Sequence, residues 1–213
     1  MFYPIFLNIE AKNCLVIGGG KVALRKVLSL LQAQAQVRVI SPKLEPELQK
    51  LNQQGKIEYI QTVYQSKWLE GVFLVISALD DPQVARQIAQ DCRKRNLLLN
   101  SVLEPELGNF QVPATCQRGK LQLAVSTGGQ SPLLARIIKE QLEAEFGEEY
   151  QELLQTLEQV RQEVKQKISD SRKRQEIYKQ IVNQDVVDLI KQGRLNIAKE
   201  RIVNADCSGR SQS

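Results

Sequence analysis

The feature that most constrains the fold is a strand, a glycine-rich turn and a helix that follow one another near the start of the chain. The stretch reads CLVIGGGKVALRK and begins at Cys14. A β-branched run leads into three consecutive glycines, Gly18, Gly19 and Gly20, and a helix-forming run follows them. This order is typical of a βαβ unit whose turn holds the phosphates of a dinucleotide. A bare strand-to-helix corner would also use glycines, so the turn alone leaves two interpretations open.

The segments that follow continue this alternation. An apolar segment at 3–9 precedes the glycine turn and is expected to be an extended strand, which Pro4 places at a sheet edge or at a strand start. Because the later apolar runs are short and continuous and alternate with helical patterns, the first half predicts an α/β domain with a parallel, doubly wound sheet. The predicted strands are 13–17, 36–40, 57–60, 72–77 and 97–102, and the predicted helices are 21–33, 44–53 and 82–95.

The pattern changes after Pro113. A strand is predicted at 121–126, and a helix at 131–146 begins with Ser131 as N-cap and Pro132 in the first position. The chain then has a helical pattern up to about residue 201, with breaks near 169–171 and at Gly193. We expect boundaries near residues 113 and 147, and a small polar tail at 204–213 that reads as flexible.

The composition excludes several classes of function. The absence of histidine removes the commonest general base and the commonest metal ligand, and no metal site is predicted. The apolar runs are too short to span a membrane, and the N-terminus does not resemble a signal peptide, so we expect a cytoplasmic protein. The net charge of +5 suits an acidic small molecule. Nucleic acid is not expected, because few aromatic residues accompany the basic runs at 93–95 and 172–174.

The glycine turn has the context that a dinucleotide site requires. In the pattern G-x-G-x-x-A, Gly18 permits the tight turn, Gly20 lets the backbone approach a pyrophosphate, and Ala23 packs the helix against the strand. The acid that usually binds the adenosine ribose is missing from the end of the second strand. Ser41 could bind the ribose instead, and Lys43 could favour a 2′-phosphate, so these residues leave NAD and NADP both open.

Four segments together resemble one family. They are YPIFLNIEAKNCLVIGGGKVALRK at 3–26, LVISALDD at 74–81, LLLNSVLEPELGNFQVPA at 97–114 and LAVSTGGQSPLLARIIKEQLE at 123–143. In order and spacing they resemble the precorrin-2 dehydrogenases and the N-terminal part of the sirohaem synthases. This resemblance extends to about residue 146 and is looser beyond it.

The resemblance implies a fold, an assembly and a reaction. It implies a Rossmann-like NAD-binding domain at 1–113, a small α+β dimerisation region at 114–147 and a helical C-terminal domain at 148–203, in a homodimer. It also implies that NAD accepts a hydride from precorrin-2, a tetrapyrrole with many carboxylates, to give sirohydrochlorin. Some members also insert ferrous iron, so a ferrochelatase is an alternative, as is a catalytically impaired relative that binds NAD or a tetrapyrrole.

The glycine turn and the resemblance together indicate the site residues. The expected cofactor contacts are Gly18, Gly19, Gly20, Lys21, Val22, Ser41, Pro42, Lys43, Ala78 and Asp80, and the expected substrate contacts are Asn100, Ser126, Thr127 and Arg136.

Two positions depart from the family pattern. Leu79 stands where a threonine is usual, and Leu103 stands where the family has its candidate catalytic aspartate. The next residue, Glu104, could supply the missing acid if the loop turns it towards the site. A solvated loop glutamate before Pro105 is the alternative.

Overall fold

The computed structural model describes residues 2–208 of the chain. These residues divide into two compact units, with the division between Val112 and Pro113. In the part of the chain that is described, no helix combines the length and the apolar character needed to cross a bilayer.

The first unit is built around a five-stranded parallel sheet. The strands follow the order β3-β2-β1-β4-β5, which is that of a Rossmann fold. The doubly wound sheet expected from the sequence is therefore confirmed. In chain order the elements are β1 (Asn13–Ile17), α1 (Lys21–Gln32), β2 (Gln36–Ile40), α2 (Pro46–Gln53), β3 (Glu58–Ile60), β4 (Leu74–Ser77), α3 (Pro82–Lys94) and β5 (Leu98–Ser101), with short 3-10 helices at Ser66–Leu69 and Pro105–Leu107.

Both faces of this sheet are covered, which explains why its central strands β1 and β4 have consecutive apolar residues at 14–17 and 74–76. Val16 on β1 lies on one face and packs in a cluster with Val27 of α1 and Leu48 of α2. Leu15, one residue earlier, lies on the other face and packs in a cluster with Ile88 of α3. All five residues are fully buried, as expected for strands between two layers of helices.

The strand expected at residues 3–9 is not formed, so this prediction was wrong. The segment has no regular secondary structure, and Tyr3 and Phe6 are 86% and 68% exposed. The edges of the sheet are β3 and β5, and neither pairs with this segment. An apolar, β-branched composition is not sufficient for a strand when no sheet edge supplies hydrogen-bond partners.

The second unit joins a β-hairpin to five helices. Strand β6 was missed from the sequence because its polar pattern, ATCQR, lacks an apolar run. The helices break near 169–171 and at Gly193 as expected, and break once more before Asn183, whose side chain caps α7. The elements are β6 (Ala114–Arg118), β7 (Leu121–Val125), α4 (Pro132–Glu145), α5 (Glu149–Lys167), α6 (Ser171–Ile181), α7 (Gln184–Lys191) and α8 (Leu195–Ser208).

The final helices form the core of the second unit. Val164 of α5, Ile190 of α7 and Ile202 of α8 are buried together in one cluster. Residues 204–208 of the expected tail belong to α8, and residues 209–213 lie outside the described residues.

Candidate functional site

The strand order places a crevice at the carboxyl ends of the strands in the five-stranded sheet. Connections leave β1 and β4 towards opposite faces, so the carboxyl ends of these two neighbouring strands form the point where doubly wound sheets bind ligands. The glycine turn follows β1 directly, and residues 78–81 follow β4. The turn expected to bind a cofactor therefore lies at the ligand-binding edge of the sheet.

Two of the three glycines are required by the protein's own packing. Gly18 has a φ of +122°, and a Cβ there would overlap the carbonyl oxygen of Ala78. A Cβ on Gly19 would overlap the carbonyl oxygen of Lys43 and lie 2.7 Å from the Ser41 Oγ. The turn after β1 is thus in direct contact with the segments that follow β2 and β4.

Gly20 differs from its two neighbours because no neighbouring segment within residues 2–208 approaches the place where its Cβ would stand. A Cβ built there would have no heavy atom within 4 Å, and its φ of −91° suits any residue. Gly20 is exposed and is the N-cap of α1, where it has no side chain to satisfy the first N–H groups of the helix. Open space beside free amides fits a phosphate group, with Lys21 and Val22 in the first turn.

The turn after β2 is held by Ser41. This residue is only 8% exposed, and its hydroxyl donates to the Lys43 carbonyl oxygen at 2.7 Å. The Tyr59 hydroxyl donates to the Ser41 carbonyl oxygen at 2.9 Å. The Ser41 proton is thus used within the turn, and the expected contact of Ser41 with the ribose stays a prediction. Pro42 and Lys43 are exposed beside it.

The segment after β4 contributes backbone to the crevice and side chains to the fold. The Ala78 N–H donates to the Ile17 carbonyl oxygen at 2.8 Å, which fixes the neighbouring ends of β4 and β1. Asp81 caps α3, because its Oδ1 accepts from the N–H groups of Gln83 and Val84. Asp80 remains exposed, while the neighbouring Leu79 packs against the core on the α3 side.

Glu104 is bound in an ion pair at the end of β5. Its carboxylate oxygens accept from Nε and Nη2 of Arg86 on α3, at 3.2 and 3.0 Å. This hydrogen bond raises the pKa of the Arg86 guanidinium. Glu104 is therefore the anionic partner of a bidentate pair, and its expected role as a catalytic acid or base stays a prediction. Leu103 beside it is 40% exposed.

The segment after Leu103 is tied back onto β5. The Asn109 side chain donates to the Leu97 carbonyl oxygen at 2.9 Å and accepts from the Leu99 N–H at 2.8 Å. Asn100, an expected substrate contact, donates from Nδ2 to the Phe110 carbonyl oxygen at 3.2 Å. Its buried Oδ1 has no partner among the described residues. Arg86 and Asn109 were missed as site-shaping residues, because their partners are distant in sequence.

The remaining expected substrate contacts belong to the second unit. The Thr127 hydroxyl donates to the Ser131 carbonyl oxygen at 3.0 Å and accepts from the Ser131 N–H at 3.1 Å. Ser126 accepts from the Gly128 N–H at 3.2 Å. Arg136 is exposed and pairs with Glu140 one turn further along α4, which raises the pKa of the guanidinium. These side chains shape the loop and the helix that follow β7.

Family models match three successive parts of the chain. An NAD(P)-binding family matches residues 5–114, which is more than half of the chain. The central region of sirohaem biosynthesis proteins matches residues 118–145, and the dimerisation region of sirohaem synthases matches residues 149–205.

Individual relatives match over similar ranges. A siroheme synthase of Thioalkalivibrio sulfidiphilus is 37% identical over 96% of this chain and 42% of its own length. That of Methylobacillus flagellatus is 42% identical over 66% of this chain and 30% of its own length. This chain thus spans less than half of these relatives.

A solved structure supports the same assignment over nearly the whole chain. SirC, a precorrin-2 dehydrogenase, is 28% identical with a TM-score of 0.75, and the match covers 94% of this chain and 100% of SirC. The match confirms the fold class expected from the sequence. The chain therefore belongs to the NAD(P)-binding family of sirohaem biosynthesis proteins.

Proposed function

We propose that the chain is an NAD-dependent dehydrogenase that oxidises precorrin-2 to sirohydrochlorin. The observation that carries the proposal is the open space at Gly20, beside the start of α1 and at the ligand-binding edge of the sheet. The likeness to SirC, a precorrin-2 dehydrogenase, supplies the substrate.

NAD is the only oxidant that the proposed reaction needs. When bound, NAD accepts a hydride from precorrin-2 to give NADH, and a proton leaves to give sirohydrochlorin. The turn at 18–20 and the first residues of α1 would hold the pyrophosphate, Pro42 and Lys43 would lie beside the ribose, and Ala78 and Asp80 would border the crevice. The chain's contribution is orientation of the two reactants, which this chemistry mainly requires.

Substrate binding is the less defined part of the proposal. The net charge of +5 favours a substrate that carries many carboxylates. Asn100, Ser126, Thr127 and Arg136 are kept as candidate contacts, although each makes a hydrogen bond within its own unit. We infer that they would meet the substrate through the atoms that these hydrogen bonds leave free.

We further propose a homodimer. The match to a dimerisation region at 149–205 supports it, as do three exposed apolar side chains on α4. Leu133, Leu134 and Ile137 are 67%, 48% and 43% exposed, and a patch of this kind is typical of an interface.

The division into domains at 1–113, 114–147 and 148–203 remains a prediction, and so does the cytoplasmic location. Iron insertion is not part of the proposal.

The direct test is incubation of the purified protein with precorrin-2 and NAD without oxygen. We expect NADH and the sirohydrochlorin spectrum to appear together. A folded protein that binds NADH but forms neither product would refute the dehydrogenase proposal.

One observation favours a second candidate function. An apolar, 40% exposed Leu103 stands at the family's aspartate position, and Glu104 is paired with Arg86. A relative that has lost catalysis would bind NAD and a tetrapyrrole without turnover. In that case, Leu103→Asp should create dehydrogenase activity that the parent lacks, whereas turnover by the parent would exclude this candidate.

A further inference from the structure

The cofactor site contains a carboxylate that the Rossmann sequence pattern does not predict. The pattern places an acid at the end of the second strand, where this chain has Ser41. Glu45 follows four residues later, after the turn that the Ser41 hydroxyl closes. Its N–H donates to the Gly19 carbonyl oxygen at 2.7 Å, which fixes the Glu45 backbone against the glycine turn.

The Glu45 side chain has no structural task among the residues that the structure describes. It occupies the N-cap position of α2, yet its carboxylate accepts no capping hydrogen bond from the helix. No ion pair or hydrogen bond of this carboxylate is found in the described part of the chain, and the residue is half-buried. A half-buried carboxylate without such a partner has acceptor capacity to spare.

The turn that precedes Glu45 is packed against the glycine turn. A Cβ on Gly19 would overlap the Lys43 carbonyl oxygen, so the two turns are in contact without a gap between them. The glycine turn is the segment that receives the phosphates in the proposed function. The Glu45 backbone is therefore fixed beside the segment that would receive the phosphates, within side-chain reach of an adenosine ribose joined to them.

We propose that Glu45 binds the hydroxyls of the adenosine ribose and so makes this chain select NAD over NADP. This inference rests on the proposed function, since it concerns the same cofactor. A carboxylate accepts hydrogen bonds from two neighbouring hydroxyls, whereas a 2′-phosphate would place a second negative charge beside it. Glu45 thus takes the role of the missing strand-end acid, and it opposes the attraction that Lys43 would exert on a 2′-phosphate.

The test is a binding titration of NADH and of NADPH, followed by nucleotide fluorescence without substrate. Glu45→Gln is compared with Glu47→Gln, which removes an exposed carboxylate from the first turn of the same helix. We expect Glu45→Gln to lower the NADH preference, the NADPH-to-NADH ratio of Kd values, by roughly tenfold, the range of one hydrogen bond to a charged group. Glu47→Gln should change the ratio by less than about twofold, since an exposed charge is screened.

The outcomes of the titration distinguish the role of Glu45 from the existence of the cofactor site. A ratio that changes equally in the two variants overturns the role of Glu45, while NADH binding by the parent still supports the cofactor site. A parent that binds neither nucleotide overturns this inference and the proposed function together. Equal thermal unfolding midpoints for the two variants confirm that the comparison concerns binding, and Glu45→Ala provides a second variant if Glu45→Gln does not fold.

Discussion

Two turns follow the carboxyl ends of strands in the parallel sheet, and they are held by different kinds of contact. The turn after β1 is fixed by backbone contacts and leaves open space at Gly20. The turn after β5 is held by side chains as well as by backbone. The side-chain contacts are the Glu104–Arg86 pair and the two hydrogen bonds of Asn109, and the Asn109 N–H also donates to the Leu99 carbonyl oxygen at 2.9 Å. The first arrangement leaves room for a ligand, whereas the second fixes the loop in place.

This difference bears on which turn can bind a cofactor and which can transfer a proton. The turn after β1 has the space and the free amides that a dinucleotide needs, and it follows a known backbone pattern. The turn after β5 has an apolar Leu103 and a neutralised Glu104 where a catalytic acid would be expected. Cofactor binding is therefore the better supported half of the proposal, and proton transfer is the half to be tested.

The largest effect is expected for Gly18→Ala. The new Cβ would overlap the Ala78 carbonyl oxygen, and alanine would be strained at a φ of +122°. We expect the free energy of unfolding to fall by about 3 kcal/mol, from strain and overpacking together. Urea unfolding measures this change, and an unchanged midpoint would show that the turn adapts.

Gly20→Ala tests nucleotide binding at a position where the substitution should leave the fold intact. Since its Cβ would enter open space, the unfolding midpoint should stay close to that of the parent. The new Cβ would occupy the space proposed for the phosphates and so prevent a hydrogen bond to them. Because one hydrogen bond to a charged group is worth about 1.5–3 kcal/mol, the affinity for NADH should fall by roughly tenfold or more. Unaltered NADH binding would place the phosphates elsewhere.

Asn109→Ala tests how firmly the second turn is held. The variant loses two hydrogen bonds to the backbone of residues 97 and 99, so the free energy of unfolding should fall by about 1–2 kcal/mol. Gln90→Ala, on an exposed position of α3, is the control and should change it little. Equal urea midpoints for the two variants would mean that the loop is held by other contacts.

The smallest effect is expected for Glu104→Gln. If Glu104 only pairs with Arg86, kcat should fall less than about threefold, since an ion pair with a solvent-exposed partner contributes little. Arg86→Gln should then have the same effect. A large loss of kcat in Glu104→Gln alone would instead support the predicted catalytic role of Glu104.

The sequence predicted the parts of this molecule that depend on local pattern. Continuous apolar runs identified the five strands of the sheet, and the Ser131–Pro132 pair marked the start of α4, where the Ser131 hydroxyl accepts from the Leu134 N–H as expected. The glycine pattern assigned the correct conformational role to Gly18. These features are encoded within a few neighbouring residues.

Features that depend on distant residues were not predictable in this way. The segment at 3–9 has the composition of a strand but pairs with neither edge strand of the sheet. The pairing of Glu104 with Arg86 joins residues 18 positions apart, and the bond from Glu45 to Gly19 joins two separate turns. The sequence pattern also does not require a glycine at position 19, where packing against Lys43 does.

The most direct test of the central claim is the stoichiometry of a single anaerobic reaction. Precorrin-2 and NAD are mixed with the protein, and NADH and sirohydrochlorin are followed in the same spectra. We predict one NADH for each sirohydrochlorin, with both signals strongly reduced in Gly20→Ala. Sirohydrochlorin formed without NADH, or at the same rate in Gly20→Ala as in the parent, would contradict the assignment of the glycine turn as the cofactor site.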